Sequence, residues 1–279
     1  MKKLYILLIL FFIVSCSDSK NNKAVWIQNT KNQNIYLQVD GLNSSNSHKL
    51  AIIQHGLASD MNHNVVQTAK KAFLDANYVV ITFDSRYSLG EGNNDVEKVR
   101  LRTFENDLKT VAHWAKTQPF YAEPFAISGH SLGGASVIKF AAEYPEKVNI
   151  LIPVAPVISG ELWEESCMES LKDFCVEWKE KGTYIYTDKK NHKKAVIPYE
   201  VISDIGNYDA LMMAPEIKAD VLLIEAQNDI LINPADLEKL SERLNNGSLS
   251  IIKSADHNFS KSKNQADLYK TITDFLATE

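Results

Sequence analysis

The stretch Gly129-His130-Ser131-Leu132-Gly133-Gly134 limits what this chain can be more than any other. It follows a short apolar run, Pro124 to Ser128, and opens a helical run at Leu132. Strand, sharp turn, helix is the setting in which G-x-S-x-G presents a reactive serine. At such a turn the serine backbone is strained and its hydroxyl is exposed. Glycines on either side let other backbone pass close by, because no Cβ stands in the way. The helix behind points its first N–H groups at the turn, where a developing oxyanion would be held. Ser131 is therefore the candidate nucleophile.

The pattern around it is periodic. Mainly apolar runs at Lys49–Gln54, Tyr78–Phe83, Val148–Val154, Asp220–Glu225 and Leu249–Ile252 read as buried strands. Amphipathic helices fall between them, at Asn62–Ala76, Leu101–Lys116, Leu132–Tyr144, Pro234–Leu244 and Gln265–Leu276. An earlier pair, Ala24–Ile27 and Ile35–Val39, reads as a hairpin. Apolar strands alternating with helices imply a mainly parallel sheet with both faces covered, an α/β fold. Functional groups in such a sheet gather at the carboxyl ends of the strands. His55, Asp84, Ser131, Asp229 and His257 all follow strands at that end.

Each has a chemical part to fill. A serine hydroxyl needs a base that titrates near neutral pH, which favours histidine. His257 lies between the last strand and the last helix and is the candidate base. Asp229, before it in the chain, is the candidate acid that orients it, with Glu225, Asp209 and Asp256 as rivals. His130 reads as elbow scaffold and His55 as a residue that orients the following loop. His48, His63, His113 and His192 read as surface residues.

These motifs resemble the α/β-hydrolase fold. The likeness rests on Gly129 to Gly134, His55-Gly56-Leu57, Asp84-Ser85-Arg86, Asn228-Asp229 and Asp256-His257, and spans about residues 35–155 and 217–279. The chain is most similar to monoacylglycerol-lipase-like and cinnamoyl-esterase-like serine hydrolases, some of them classed as serine aminopeptidases. The resemblance implies the chain order Ser131, Asp229, His257, with oxyanion donors at the backbone N–H groups of Leu57 and Leu132. It implies a central sheet with a helical lid inserted. One departure is Tyr87, where relatives often carry glycine. The implied reaction is hydrolysis of an acyl or aromatic ester through an acyl-enzyme. Amide hydrolysis of the aminopeptidase kind is the alternative, and a non-catalytic surface lipoprotein a third.

The lid falls at residues 156–216, between core parts at 25–155 and 217–279. Leu162, Cys167, Met168, Leu171, Phe174, Cys175 and Trp178 recur at helical spacing, as an amphipathic helix or helix pair would place them. Trp163, Met168, Phe174 and Trp178 are the candidate substrate contacts. Cys167 and Cys175 are either a disulfide or two buried thiols. Eight residues of one straight helix rise about 12 Å, so a bridge would need a helix break. Glu161, Glu164 and Glu165 could hold a substrate amine. The run Lys189 to Lys194 reads as a solvated loop.

The N-terminus reads as a targeting segment. Lys2 and Lys3 precede eleven unbroken apolar residues, Leu4 to Val14, the length of a signal-peptide core rather than a membrane span. Ile13-Val14-Ser15-Cys16 resembles the lipobox of bacterial lipoproteins. That implies a signal peptide at 1–15, lipid on Cys16, a tether at 16–24, and a lipid-anchored place in the bacterial cell envelope. The formal charge of −5 and its scattered basic residues argue against nucleic acid. No Cys/His spacing suggests a metal, and no phosphate fingerprint suggests a cofactor. The expected state is a monomer or a dimer.

Overall fold

The computed structural model describes residues 22–42, 49–92, 95–188 and 192–279. The predicted signal peptide, Cys16 and most of the tether lie outside them. In chain order the elements are β1 (Asn22–Gln28), β2 (Asn34–Asp40), β3 (Leu50–Gln54), α1 (Asn64–Asp75), β4 (Val79–Asp84), α2 (Leu101–Ala115), β5 (Phe125–His130), α3 (Leu132–Glu143) and β6 (Val148–Val154). An inserted segment carries α4 (Gly160–Ser170), α5 (Lys172–Lys181), β7 (Thr183–Thr187), β8 (Lys194–Pro198), α6 (Glu200–Asp204) and α7 (Ala210–Met213). The core resumes with β9 (Asp220–Ala226), α8 (Pro234–Arg243), β10 (Gly247–Ile252) and α9 (Ser262–Leu276).

Eight strands form one sheet in the order β1-β2-β4-β3-β5-β6-β9-β10. β1 and β2 are antiparallel to each other, and β2 is antiparallel to β4. From β4 to β10 every neighbouring pair is parallel. The uniform hydrophobicity of these strands has a simple cause: successive side chains feed opposite faces, and both faces are cores. Leu50 and Ile52 of β3 join one cluster with Phe104, Leu108 and Leu237 of the helices on that face. Ala51 and Ile53 join the other, with Val65, Phe73, Leu268 and Ile272 of α1 and α9. Helices thus cover both sides, and this is an α/β-hydrolase fold. The parallel strands put His55, Asp84, Ser131, Asp229 and His257 at one edge of the sheet.

The inserted segment is closed at its neck. Ala210 donates its N–H to the Ile158 carbonyl at 2.8 Å, and Ser159 bridges to Asp209. The helix pair expected from the apolar spacing is present as α4 and α5. Periodicity does not reveal the two-stranded β7–β8 hairpin that packs on them. Cys167 and Cys175 are bridged, with Cα atoms 6.0 Å apart. The break that permits this is Leu171, at φ −137°, which ends α4 and begins α5.

Trp178 is buried and turned inward: its indole N–H donates to the Ile197 carbonyl at 3.0 Å, and its ring meets Tyr184 and Tyr199 edge-on. Phe174 packs at a tilt on Trp178, meets Tyr184 edge-on, and stays partly exposed to solvent. Trp178 is spent on holding the insertion together, which corrects its assignment as a substrate contact. Apolar residues at helical spacing need a cover, and the unforeseen hairpin supplies it. Trp163 and Met168 are half-buried, Trp163 against the main core.

Candidate active site

Ser131 stands between β5 and α3 with φ 55° and ψ −118°. A positive φ at a non-glycine residue costs energy of about 1–3 kcal/mol, held in place by its surroundings. Those surroundings are visible. The Ser131 N–H donates to the Val154 carbonyl at 3.0 Å, and its own carbonyl accepts from Ala135 and Val157. A Cβ added at Gly133 would lie 2.2 Å from the His55 carbonyl oxygen, so the start of α3 can approach the β3 end only without one. Ala58, Ala155 and Phe259 also have positive φ, and all three sit on loops at the same sheet edge.

The β3 loop is pressed against the elbow. A Cβ on Gly56 would lie 3.2 Å from the Ser131 Cβ and from His130 Nδ1, so the loop that continues into Leu57 touches the elbow at Gly56. His55 fixes that loop. Its Nε2 accepts the Ser85 N–H at 3.0 Å, so Nδ1 carries the proton and donates to the Gly56 carbonyl at 2.7 Å. Burial lowers the His55 pKa despite the nearby Asp84, so the ring stays neutral, as this pattern requires. Leu132 is the first residue of α3, where an N–H has no partner within the helix. Among the described residues, neither the Leu57 nor the Leu132 N–H is taken by a turn or loop carbonyl.

Asp229 and His257 come from two loops laced together. Gln227 donates its N–H to Ile252 and Asn228 to Ala255, at 3.0 and 2.8 Å. His257 Nδ1 then lies 2.6 Å from Asp229 Oδ2. The other Asp229 oxygen accepts the N–H groups of Leu231 and Ile232 at 2.8 and 3.0 Å. Burial pushes the Asp229 carboxyl up, but His257 and the two amides outweigh it, and the pKa falls below the ordinary value. Of the rivals, Asp256 caps its own turn by accepting the Ser260 N–H, and Asp209 caps α7. Glu225 accepts the Ala226 N–H.

His130 joins the two halves. Its Nε2 donates to the His257 carbonyl at 2.8 Å, and its ring centroid lies 4.9 Å from that of His257. His63 is a correction. It stacks on His130 at 5.1 Å with planes 11° apart, and burial with the His257 charge lowers its pKa to about 4. Its place at the N-cap of α1 hid this, because the contact is with a residue 67 positions away. His113 and His192 are exposed, as expected, and His48 lies outside the described residues.

The Asp84 loop is structural. Asp84 accepts the Met61 and Glu91 N–H groups at 2.7 and 2.8 Å. Arg86 makes a buried ion pair with Asp107, through Nε at 2.7 Å. Tyr87 fits without a glycine: its hydroxyl accepts from Gln33 Nε2, and its ring lies under the Arg86 guanidinium.

A sequence model of serine aminopeptidase S33 matches residues 45–263. The chain belongs to that family. It is a serine hydrolase family of the α/β-hydrolase fold, and the structure agrees. The solved complex of Est1E from Butyrivibrio proteoclasticus with ferulic acid superposes with a TM-score of 0.74, at 18% identity, over 91% of this chain and 98% of that one. An esterase from Pyrococcus furiosus gives 0.70, at 19% identity, over 98% of both chains. Mouse alpha/beta hydrolase domain-containing protein 10 gives 0.70, at 18% identity, over 92% and 99%. At such identities the likeness is one of fold. No curated protein matches the sequence.

Proposed function

We propose that this protein hydrolyses carboxylic esters with Ser131 as nucleophile, His257 as base and Asp229 as the acid that orients it. The observation that carries the reading is the 2.6 Å contact of Asp229 with His257 Nδ1, in a loop hydrogen-bonded to the residue beside Ser131. With Nδ1–H donated to Asp229, Nε2 is left free to take the Ser131 proton. Ser131 attacks the acyl carbonyl, and the N–H groups of Leu57 and Leu132 receive the oxyanion. His257 returns the proton to the leaving alcohol, and water then releases the acyl group by the same steps in reverse. Trp163, Met168 and Phe174 are the lid residues that remain as candidate acyl contacts.

The family's description keeps amide substrates as the second reading. An aminopeptidase needs a free carboxylate for the substrate amine. Glu161, Glu164 and Glu165 line a cavity of about 320 Å³ with Tyr199, but its lining includes none of Ser131, Leu57, Asp229 and His257. That favours the ester. A panel of p-nitrophenyl esters run beside aminoacyl-p-nitroanilides tests the choice: ester turnover at least tenfold above amide turnover is expected, and the reverse would overturn it. A fluorophosphonate probe should label Ser131, which a non-catalytic binding protein would not show.

The reading places the enzyme in the bacterial cell envelope, held by lipid on Cys16. Cys16→Ala should move the protein from the membrane fraction to the soluble one.

A further inference from the structure

Glu225 is the penultimate residue of β9, and its side chain has no exposure. Oε1 accepts the Ala226 N–H at 2.7 Å. Oε2 is buried and meets no donor. The side chain it faces is a second carboxyl, that of Asp229, which in turn holds His257. Two buried carboxyls in contact do not both ionise; one keeps its proton. The donors decide which. Asp229 accepts two backbone N–H groups and the His257 ring. Glu225 accepts one N–H, and the strongest charge acting on it is that of Asp229. The proton therefore stays on Glu225, whose pKa burial and the Asp229 charge raise to about 9. Protonation also removes the orphan, because Oε2–H is then a donor. A carboxylate offers about four acceptor sites, and Asp229 has filled three.

We propose that Glu225 is a positioning residue, a neutral acid whose O–H donates to the Asp229 carboxylate and holds it toward His257 Nδ1. It touches no substrate, and its role rests on the reading of Asp229 as the acid of the triad. The pair carries one negative charge, all of it on Asp229. This separates donation from charge. Glu225→Gln keeps a neutral donor in the same volume. An ionised Glu225 would instead stabilise the His257 imidazolium, and its loss would move the acid limb of kcat/KM to lower pH.

The experiment measures kcat and KM against pH with a p-nitrophenyl ester, for wild type, Glu225→Gln and Glu225→Leu. Fluorophosphonate labelling counts active sites in each. We expect Glu225→Gln to keep the wild-type acid limb, with kcat within about threefold. Loss of one charge-assisted hydrogen bond in Glu225→Leu should lower kcat per labelled site by roughly tenfold to hundredfold, with little change in KM. A Glu225→Gln acid limb displaced downward by about one pH unit would overturn the proposal, as would wild-type kcat in Glu225→Leu. If wild-type Ser131 takes no label, the triad reading itself fails and the proposal falls with it. If Glu225→Leu does not fold, the pH limb of Glu225→Gln still decides.

Discussion

The sheet edge and the inserted segment are built on different rules. At the edge, each candidate residue occupies a position the strand pattern dictates: one residue past a strand, or a few. Backbone hydrogen bonds between successive loops then set the distances, as between Asn228 and Ala255 or Ser131 and Val154. In the insertion, backbone hydrogen bonds close the neck and pair β7 with β8, and side chains do the rest. Its parts are held by Trp178 between α5 and the hairpin, by the Cys167–Cys175 bridge, and by side-chain ties to the core such as Lys193 to the Leu89 carbonyl and Arg100 to Glu200. The lesson is that the core can specify chemistry independently of the insertion, while the insertion is free to vary what reaches it.

This contrast can be broken by changing one region and reading the other. The largest effect belongs to the edge. Ser131→Ala should lower ester turnover by about 10⁶-fold with unchanged thermal unfolding, since the proposed nucleophile is lost but no packing is. Asp229→Asn comes next, at roughly 10⁴-fold in kcat, because an amide can hold the wrong imidazole tautomer. Near-wild-type kcat in that variant would move the acid role elsewhere.

In the insertion, Trp178→Ala should cost about 3–5 kcal/mol of local stability, the usual range for a buried tryptophan. Hydrogen exchange should then show residues 160–207 deprotected and β3, β5 and β6 still protected, with Ser131 still labelling. Loss of protection across the central strands would show that the two regions are one cooperative unit. Replacing both Cys167 and Cys175 with serine opens a short loop and should cost about 2–3 kcal/mol, read as faster proteolysis within the same residues.

The smallest effect is one of pH, and it returns to the edge. The folded-state pKa of His63 is about 4, below its reference value of 6.5. The unfolded chain therefore takes up the proton first as pH falls. The stability from neutral His63 is complete above pH 6.5 and is lost as pH falls through about 4. His63→Gln should flatten the fall of Tm over that window, and an unchanged slope would place the acid sensitivity on His130 or His55.

Much of the site was legible without coordinates, because its parts are local. Glycines at 129, 133 and 134 mark the elbow, the apolar runs mark the strands, and parallel strands bring their carboxyl ends to one edge. The bonded pair Asp229 and His257 follows from that geometry plus chain order. The roles of His63 and Glu225 were not legible. His63 stacks on His130, a residue far away in the chain, and Glu225 reads only as a rival acid at a strand end until its carboxyl is set against Asp229.

By itself, then, the sequence determined the α/β-hydrolase fold and the residues at the carboxyl ends of its strands, since periodicity and turn chemistry are properties of short segments. The tertiary structure decided that the cysteines pair, that Trp178 faces inward, and that His63 lies against His130. Each of those depends on distances between segments, and on burial that no stretch of chain possesses alone.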